Sequence, residues 1–238
     1  MDFRNYNELT REQEASMSLA FPKLMRKVYL WMTFALAITG FTAYGVANSP
    51  SLLYAIFGSK ILFWGLILGE LALVIGITSA INRLSLPAAT MLFILFSVVN
   101  GLTLASIFAA YPTPIIAKVF FITAGTFAAM AFVGYTTKRD LSSMGIILIM
   151  ALLGIIIASI VNIFLKSSGL DLFISYAGVL IFVGLTAWDS QKIKVMLAQQ
   201  VDADEQAQKI ALLGSLSLYL DFINLFLYLL RIFGRGNN

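Results

Sequence analysis

One stretch of the chain decides its fold: residues 143–165 read SMGIILIMALLGIIIASIVNIFL and contain no charged side chain. An α-helix of about 20 apolar residues spans the roughly 30 Å hydrocarbon core of a bilayer. The stretch therefore predicts a membrane-spanning helix. A transmembrane barrel is excluded, because its strands are only about 10 residues long and alternate between apolar and polar positions.

Further apolar runs of similar length lie on both sides of this stretch, separated by short polar breaks. The complete set of predicted spans is residues 24–47, 61–82, 86–110, 114–136, 143–165, 171–190 and 209–232. The sequence thus predicts an all-α, polytopic membrane protein, a bundle of seven transmembrane helices. Six helices and a re-entrant final segment are the alternative. The bundle occupies residues 23–234, between a cytoplasmic polar tail at 1–22 and a short C-terminal tail at 235–238.

The composition agrees with a membrane protein and excludes several classes of function. Of the 238 residues, 60% are apolar and 12% are charged, against about 45–50% and about 25% in soluble domains. Such a chain is neither a soluble enzyme nor intrinsically disordered. It contains no histidine and no cysteine, which excludes thiol catalysis, disulfides, and zinc sites built from those residues. Charge switching near neutral pH is therefore left to carboxylates.

The lysines and arginines near the helix ends predict the orientation, because cytoplasmic loops carry an excess of them. The larger group lies on the side of the N-terminus and comprises Lys23, Arg26, Lys27, Arg83, Lys138, Arg139, Lys192, Lys194 and Lys209. The smaller group, on the opposite side, comprises Lys60, Lys118, Lys166, Arg231 and Arg235. We therefore expect the N-terminus in the cytoplasm and, with seven spans, the C-terminus outside.

Three acidic residues, Glu70, Asp189 and Asp221, lie at membrane depth without a lysine or arginine in the middle of any span. An ionisable side chain at the bilayer centre costs at least ~2.5–3.5 kcal/mol on insertion scales, so such residues are functional candidates. Arg83 ends the second span at about the depth of Asp189, which allows a salt bridge between them. Gly65 and Gly69 precede Glu70 in a G-x-x-x-G pattern, which favours close packing of two helices there.

Two predicted spans carry a polar stripe on one helical face. The stripe of the last span comprises Gly214, Ser217, Asp221, Asn224, Tyr228 and Arg231. Since a lone buried acid needs a partner or water, we interpret this stripe as the lining of a polar cavity. The stripe of the third span comprises Ser97, Asn100, Thr103 and Ser106. It contains no charge, and we interpret it as a seam of interhelical hydrogen bonds.

Three motifs resemble those of one family of membrane proteins. They are GYTTKRDLS at residues 134–142, FVGLTAWDSQKI at 182–193 and LYLDFINLF at 218–226. These motifs resemble the Bax-inhibitor, or TMBIM, family, in order and spacing, over about residues 23–234. The chain looks like a bacterial inner-membrane member. Trp188 stands where the family more often has tyrosine, which changes a packing aromatic and none of the chemistry.

The resemblance implies a seven-helix bundle with the last helix at its centre, and it implies no enzymatic reaction. For bacterial relatives the implied activity is a pH-sensitive calcium leak. The implied pH-sensor pair is Asp189 and Asp221, Arg83 is the implied latch on that pair, and Glu70 lies along the implied ion path. A second branch of the family binds a membrane-anchored quality-control protease, so a regulator or scaffold for such a protease is the alternative function.

Elementary electrostatics is consistent with the leak. Two carboxylates brought together away from water cannot both ionise easily, so a shared proton would hold the pair together and its loss would separate them or recruit Arg83. Calcium prefers oxygen ligands. Oxygen atoms along the implied path come from Glu70, Ser217 and Asn224. Asp189 and Asp221 form at most a weak calcium site. We expect calcium as the transported ion, no cofactor, the lipid bilayer as the surrounding partner and no nucleic acid. A proton-coupled transporter is a third hypothesis.

Overall fold

The structure, a computed structural model, describes the backbone of residues 11–234 and the side chains from Leu19 onward. Within that range the chain folds into nine helices. They are α1 (Arg11–Ala47), α2 (Pro50–Phe57), α3 (Lys60–Ala80), α4 (Leu86–Leu104), α5 (Ser106–Ala110), α6 (Thr113–Thr136), α7 (Ser142–Leu165), α8 (Ser168–Ala198) and α9 (Glu205–Gly234). The parts of the predicted tails at residues 1–10 and 235–238 lie outside the described residues.

Seven of these elements are long and apolar enough to cross a membrane, which confirms the predicted fold class. The spans are Leu19–Ala47, Lys60–Ala80, Leu86–Ala110, Thr113–Thr136, Ser142–Leu165, Ser168–Ala198 and Glu205–Gly234. The third span combines α4 and α5, which are separated only by Ala105. The short helix α2 lies between the first two spans. The chain is therefore an integral membrane protein built from α-helices.

Three helices extend beyond the predicted membrane spans, each at a polar end. α1 begins at Arg11 rather than near Leu24, so the helix extends into the tail predicted at 1–22. α8 continues to Ala198 instead of ending at Ser190, and α9 begins at Glu205 instead of Lys209. Glutamate, glutamine, lysine and arginine are good helix formers. A helix can therefore continue past the apolar run that hydropathy detects.

Short polar residues begin several of the helices and explain where they start. Ser59 and Ser85 accept hydrogen bonds from the backbone amides of Leu62 and Ala88, at the starts of α3 and α4. Before α9, Asp204 Oδ1 lies 2.8 Å from the amide of Ala207. Side-chain oxygens at these positions satisfy amides that have no partner inside the helix.

Helix α9 is the most buried span. In its most apolar stretch of 18 residues, 67% of the residues are buried inside the protein, against 44% for α8 and 6% for α3. It packs against α1, α4, α6 and α8. The other two spans pack on these neighbours, α7 on α8 and α3 on α4, and α6 packs on α8 as well as on α9. This arrangement gives different faces of α9 different surroundings, and both candidate sites described below lie on it.

Candidate ion site in the membrane

A cavity of about 440 Å³ lies at the packing of α7, α8 and α9. Helix α7 lines it with Ile149, Leu152 and Ile156 alone. Its polar lining comes from the other two helices: Asp189 and Lys192 of α8, and Ser217, Asp221, Asn224 and Tyr228 of α9. The four α9 residues are successively four, three and four positions apart, a spacing that places them on one face of a helix. They therefore face one cavity, as we expected for the polar stripe of the last span. We call it the aspartate cavity.

Tyr228 is held at the wall of the aspartate cavity by close packing. Its ring stacks on Phe182 at a centroid distance of 5.8 Å and an interplanar angle of 28°. Gly178 allows this approach, because a Cβ at that position would lie only 2.7 Å from the Tyr228 ring. The absence of a side chain at Gly178 thus brings α8 and α9 together beside the cavity.

The two aspartates of the cavity differ in their surroundings. Asp221 is only 5% exposed, and its Oδ2 has no hydrogen-bond partner among the described residues. Asp189 is half-buried and interacts electrostatically with Asp221. A carboxylate removed from water without a partner is costly. The structure therefore concentrates two acids where only a proton, a cation or water can compensate their charge.

The cation nearest this pair in the described structure is Lys192, one helical turn after Asp189. Its Nζ also lies 4.9 Å from the centroid of the Trp188 ring. Arg83, the predicted latch, is exposed at the turn between α3 and α4 and is not part of the cavity lining. Across residues 19–234 the salt bridge that the structure shows is between Lys209 and Glu205, 3.1 Å apart. The role of Arg83 as a latch stays a prediction.

Glu70 lies in a second polar site, formed by α3 and α4. Asn100 Nδ2 donates to its Oε2 at 3.2 Å, and the Thr103 hydroxyl donates to its Oε1 at 2.5 Å. Both donors belong to the polar stripe of the third span. The prediction of a seam of interhelical hydrogen bonds is confirmed for Asn100 and Thr103. The hydroxyls of Ser97 and Ser106 instead donate to carbonyl oxygens within their own span.

This second site continues across the bundle through Tyr219 of α9, which is fully buried. The Tyr219 hydroxyl donates to Asn100 Oδ1 at 2.9 Å and lies 2.7 Å from Thr39 Oγ1 of α1. Thr39 in turn donates to the carbonyl oxygen of Ser97 at 2.8 Å. We call the set Glu70, Asn100, Thr103, Tyr219 and Thr39 the Glu70 network. It links four helices through hydrogen bonds in the interior of the bundle.

The Glu70 network and the aspartate cavity lie on opposite sides of α9. Tyr219 and Asp221 are two residues apart, so their side chains point about 200° apart around the helix. The structure therefore groups Ser217 and Asn224 with the two aspartates and places Glu70 elsewhere. Sequence reasoning assigned these three residues to one path but could not divide them between two faces.

Sequence reasoning missed Tyr219, Thr39 and Lys192. Tyr219 lies inside one of the quoted motifs, two residues before Asp221, and a helical projection would have assigned it to the opposite face. Thr39 carries no sequence signal, since an isolated threonine in an apolar helix is common. Lys192 was used only for orientation, although it lies three residues after Asp189 and hence on the same helical face.

The prediction for Gly65 and Gly69 was wrong. No atom of another helix lies within 4 Å of the position that a Cβ would take at either residue. These glycines therefore face away from the rest of the chain and do not pack closely against another helix. Glu70 is held in the bundle by the hydrogen bonds from α4 instead.

The oxygen donors of the aspartate cavity fit a loosely held hard cation. Asn224 directs its Nδ2 to the carbonyl of Leu220 at 2.8 Å, which leaves the amide oxygen as an acceptor. Ser217 adds a hydroxyl, and the pair adds carboxylates. Calcium favours six to eight oxygen ligands. Among residues 19–234 no cluster of three or more acidic, histidine or cysteine side chains could hold a metal ion tightly.

These features define a seven-helix integral membrane protein with two polar sites buried around its last helix. A family profile described as "Inhibitor of apoptosis-promoting Bax1" matches residues 22–238. The chain belongs to this family, the Bax-inhibitor family that its motifs resemble. It is 51% identical over 212 residues to the "Inner membrane protein YbhL" of Escherichia coli, covering 88% of this chain and 90% of that protein.

Two further relatives extend over nearly the same length. An uncharacterised protein of Borreliella burgdorferi is 46% identical over 226 residues, covering 95% of this chain and 97% of its own. An uncharacterised protein of Rickettsia prowazekii is 40% identical over 216 residues, covering 89% of both chains. The family match at residues 22–238 includes the residues of both polar sites of this chain.

Proposed function

We propose that the protein is a passive, pH-sensitive leak channel for calcium, with Asp189 and Asp221 as its pH-sensing pair. The observation that carries the proposal is the aspartate cavity, which brings both carboxylates together with the oxygens of Ser217 and Asn224 inside the membrane-spanning bundle. A passive leak requires no catalytic residue, so we propose no enzymatic activity and no cofactor.

The surroundings of the pair support sensitivity to pH. The groups that face it are Lys192 on α8 and the Tyr228 hydroxyl on α9, while α7 contributes only apolar side chains. No histidine is present in the chain. Two neighbouring carboxylates titrate as a coupled unit whose charge depends on how many protons they hold. A change of pH therefore changes the charge at one defined place between α8 and α9.

The chemistry of the cavity supports calcium as the transported ion, in the role of substrate. Its ligands are all oxygen atoms, and only two of them are carboxylates, so a calcium ion would be attracted without being trapped. Glu70 provides a third carboxylate, on the other side of α9. Since α9 separates the two sites in this state, we propose that conduction requires α9 to move relative to α8. We propose Arg83 as the latch that contacts the pair in a state other than this one.

The proposal also includes location and orientation. The Escherichia coli relative is named an inner membrane protein, and we propose the bacterial inner membrane for this chain as well. The distribution of lysine and arginine supports an N-terminus in the cytoplasm.

The direct test is calcium flux through the purified protein in liposomes loaded with a calcium-sensitive dye. We expect calcium entry above that of protein-free liposomes, and a rate that differs between the acidic and the alkaline side of neutral pH. Glu70→Gln should lower the rate, because the carboxylate charge is lost while hydrogen bonds from Asn100 and Thr103 can still form. Flux equal to that of protein-free liposomes at every pH would refute the proposal.

A further inference from the structure

Helices α1 and α6 both pack against α9, yet they are not a substantially packed pair themselves. The gap between them is a groove of about 690 Å³ whose floor includes Phe222 of α9. We call it the α1–α6 groove. Its α1 wall runs from Pro22 to Leu36 and its α6 wall from Phe120 to Tyr135.

Most of the α1–α6 groove is apolar, and it is long enough to hold an acyl chain of one leaflet. From Pro22 to Leu36 the α1 wall is about 21 Å long, at ~1.5 Å per residue. Half of the hydrocarbon core is about 15 Å thick. At its deep end the Phe120 ring contacts the rings of Phe222 and Phe226, with centroids 5.5 and 6.4 Å apart. The groove thus covers the depth of one acyl layer.

The other end of the α1–α6 groove is polar and basic. Arg26 and Tyr135 line it there, and the Arg26 side chain is exposed and forms no ion pair with any residue in the described part of the chain. Lys194 approaches the same place: its Nζ donates to the Tyr135 carbonyl at 2.7 Å and lies 5.4 Å from the Tyr135 ring centroid. Basic side chains and tyrosines at a helix end are typical of the headgroup region.

We propose that the α1–α6 groove binds one acyl chain of an anionic phospholipid, whose phosphate contacts Arg26. The positive end complements a headgroup phosphate, and the aromatic and aliphatic walls suit an acyl chain. A transmembrane helix of a partner would not require a basic group at one end only, whereas a phospholipid places its phosphate at one end of its acyl chains. The lipid comes from the leaflet on the side of the α1 N-terminal end.

Native mass spectrometry of the detergent-purified full-length protein tests this site, with phosphatidylglycerol and phosphatidylcholine of identical acyl chains as the probes. We expect tighter binding of phosphatidylglycerol. Arg26→Gln should weaken that preference about tenfold, the effect of losing one charge-assisted contact. Lys138→Gln, which removes an exposed charge near the same helix ends but outside the groove, should leave it unchanged.

A bulky side chain in the groove provides an independent test. Ala128 and its neighbour Ala129 are both exposed, but only Ala128 lines the α1–α6 groove. Ala128→Phe should therefore reduce phosphatidylglycerol binding about tenfold or more, and Ala129→Phe should not. A phosphatidylglycerol with a photoreactive acyl chain should crosslink to α1 and α6 in the wild type, and inorganic phosphate should not displace it.

Three outcomes would overturn the proposal. One is equal binding of both lipids to the wild type and to Arg26→Gln. Another is crosslinking confined to helices other than α1 and α6. The third is a dimer that Ala128→Phe dissociates while lipid binding stays constant, since this would identify a second copy of the chain as the occupant. None of these results depends on whether the protein conducts calcium, so the lipid site and the proposed leak are tested separately.

Discussion

Tyr219→Phe removes one hydroxyl from the centre of the Glu70 network while preserving the packing of the ring. The Tyr219 side chain is fully buried, and its ring makes edge-to-face contacts with Phe93 and Phe96 at centroid distances of 5.9 and 5.6 Å. Phenylalanine keeps these contacts and creates no large void. The measured effect therefore reports the hydrogen bond of the hydroxyl to Asn100 and its 2.7 Å contact with Thr39 Oγ1.

The expected loss follows from what each partner retains. Thr39 still donates to the Ser97 carbonyl, and Asn100 still donates to Glu70 through its Nδ2, but Asn100 Oδ1 loses its donor. A buried acceptor without a partner costs about 1–3 kcal/mol, whereas hydrogen bonds between membrane helices average about 0.6 and reach about 1.7 kcal/mol. We expect Tyr219→Phe to reduce the free energy of unfolding by about 1–2 kcal/mol.

Equilibrium unfolding in mixed micelles, titrated with sodium dodecyl sulfate and followed by circular dichroism, measures this loss. Tyr54→Phe is the matched control, because Tyr54 is 82% exposed. The reasoning would be refuted if Tyr219→Phe stayed within about 0.5 kcal/mol of the wild type, the range of ordinary surface substitutions. That result would mean that the Glu70 network does not stabilise the bundle.

Two further predictions concern packing and a helix start. Gly134→Ala should destabilise the protein by about 1–3 kcal/mol in the same unfolding assay, because the new Cβ would clash with the carbonyl oxygen of Ala187 on α8. Gly154→Ala, with no atom within 4 Å of its Cβ position, should change stability by less than about 1 kcal/mol. At the start of α7, hydrogen bonds from Ser142 hold the pKa of Asp140 below its usual value of 3.8. The stabilisation from this carboxylate is therefore present above that pH and is lost as the pH falls through the folded-state pKa. Asp140→Ala should lower the unfolding temperature at neutral pH and match the wild type at about pH 2, and an equal deficit at both pH values would contradict this.

The helical spans could be predicted from the sequence because bilayer thickness sets a minimum length for an uncharged apolar run. Their polar ends could not. α8 runs from Ser168 to Ala198 because its lysines and glutamines favour a helix outside the apolar region. Hydropathy measures the cost of leaving lipid and carries no information on where a helix stops in water. The same limit explains why α1 begins at Arg11.

The acidic residues of the candidate sites could be predicted one by one, whereas the residue patterns alone did not show which of them lie together. An acidic side chain inside an apolar span costs free energy of insertion and is therefore visible in the sequence as a functional candidate. This is how Glu70, Asp189 and Asp221 are identified. Which of them lie together depends on how helices distant in sequence pack, and no pattern within one helix contains that information. The same reason explains the wrong prediction for Gly65 and Gly69: the spacing permits close packing, but no helix of the chain lies against that face.

The most direct test of the proposed function compares the pH dependence of calcium flux in liposomes for the wild type, Asp189→Asn and Asp221→Asn. Asparagine keeps the size of the side chain and removes the titration. Asp140→Asn controls for the loss of an acid outside the spans. We expect the flux through the wild type and through Asp140→Asn to differ between the acidic and alkaline sides of neutral pH. This difference should largely disappear in Asp189→Asn and Asp221→Asn. A pH dependence like that of the wild type in both cavity variants would contradict it.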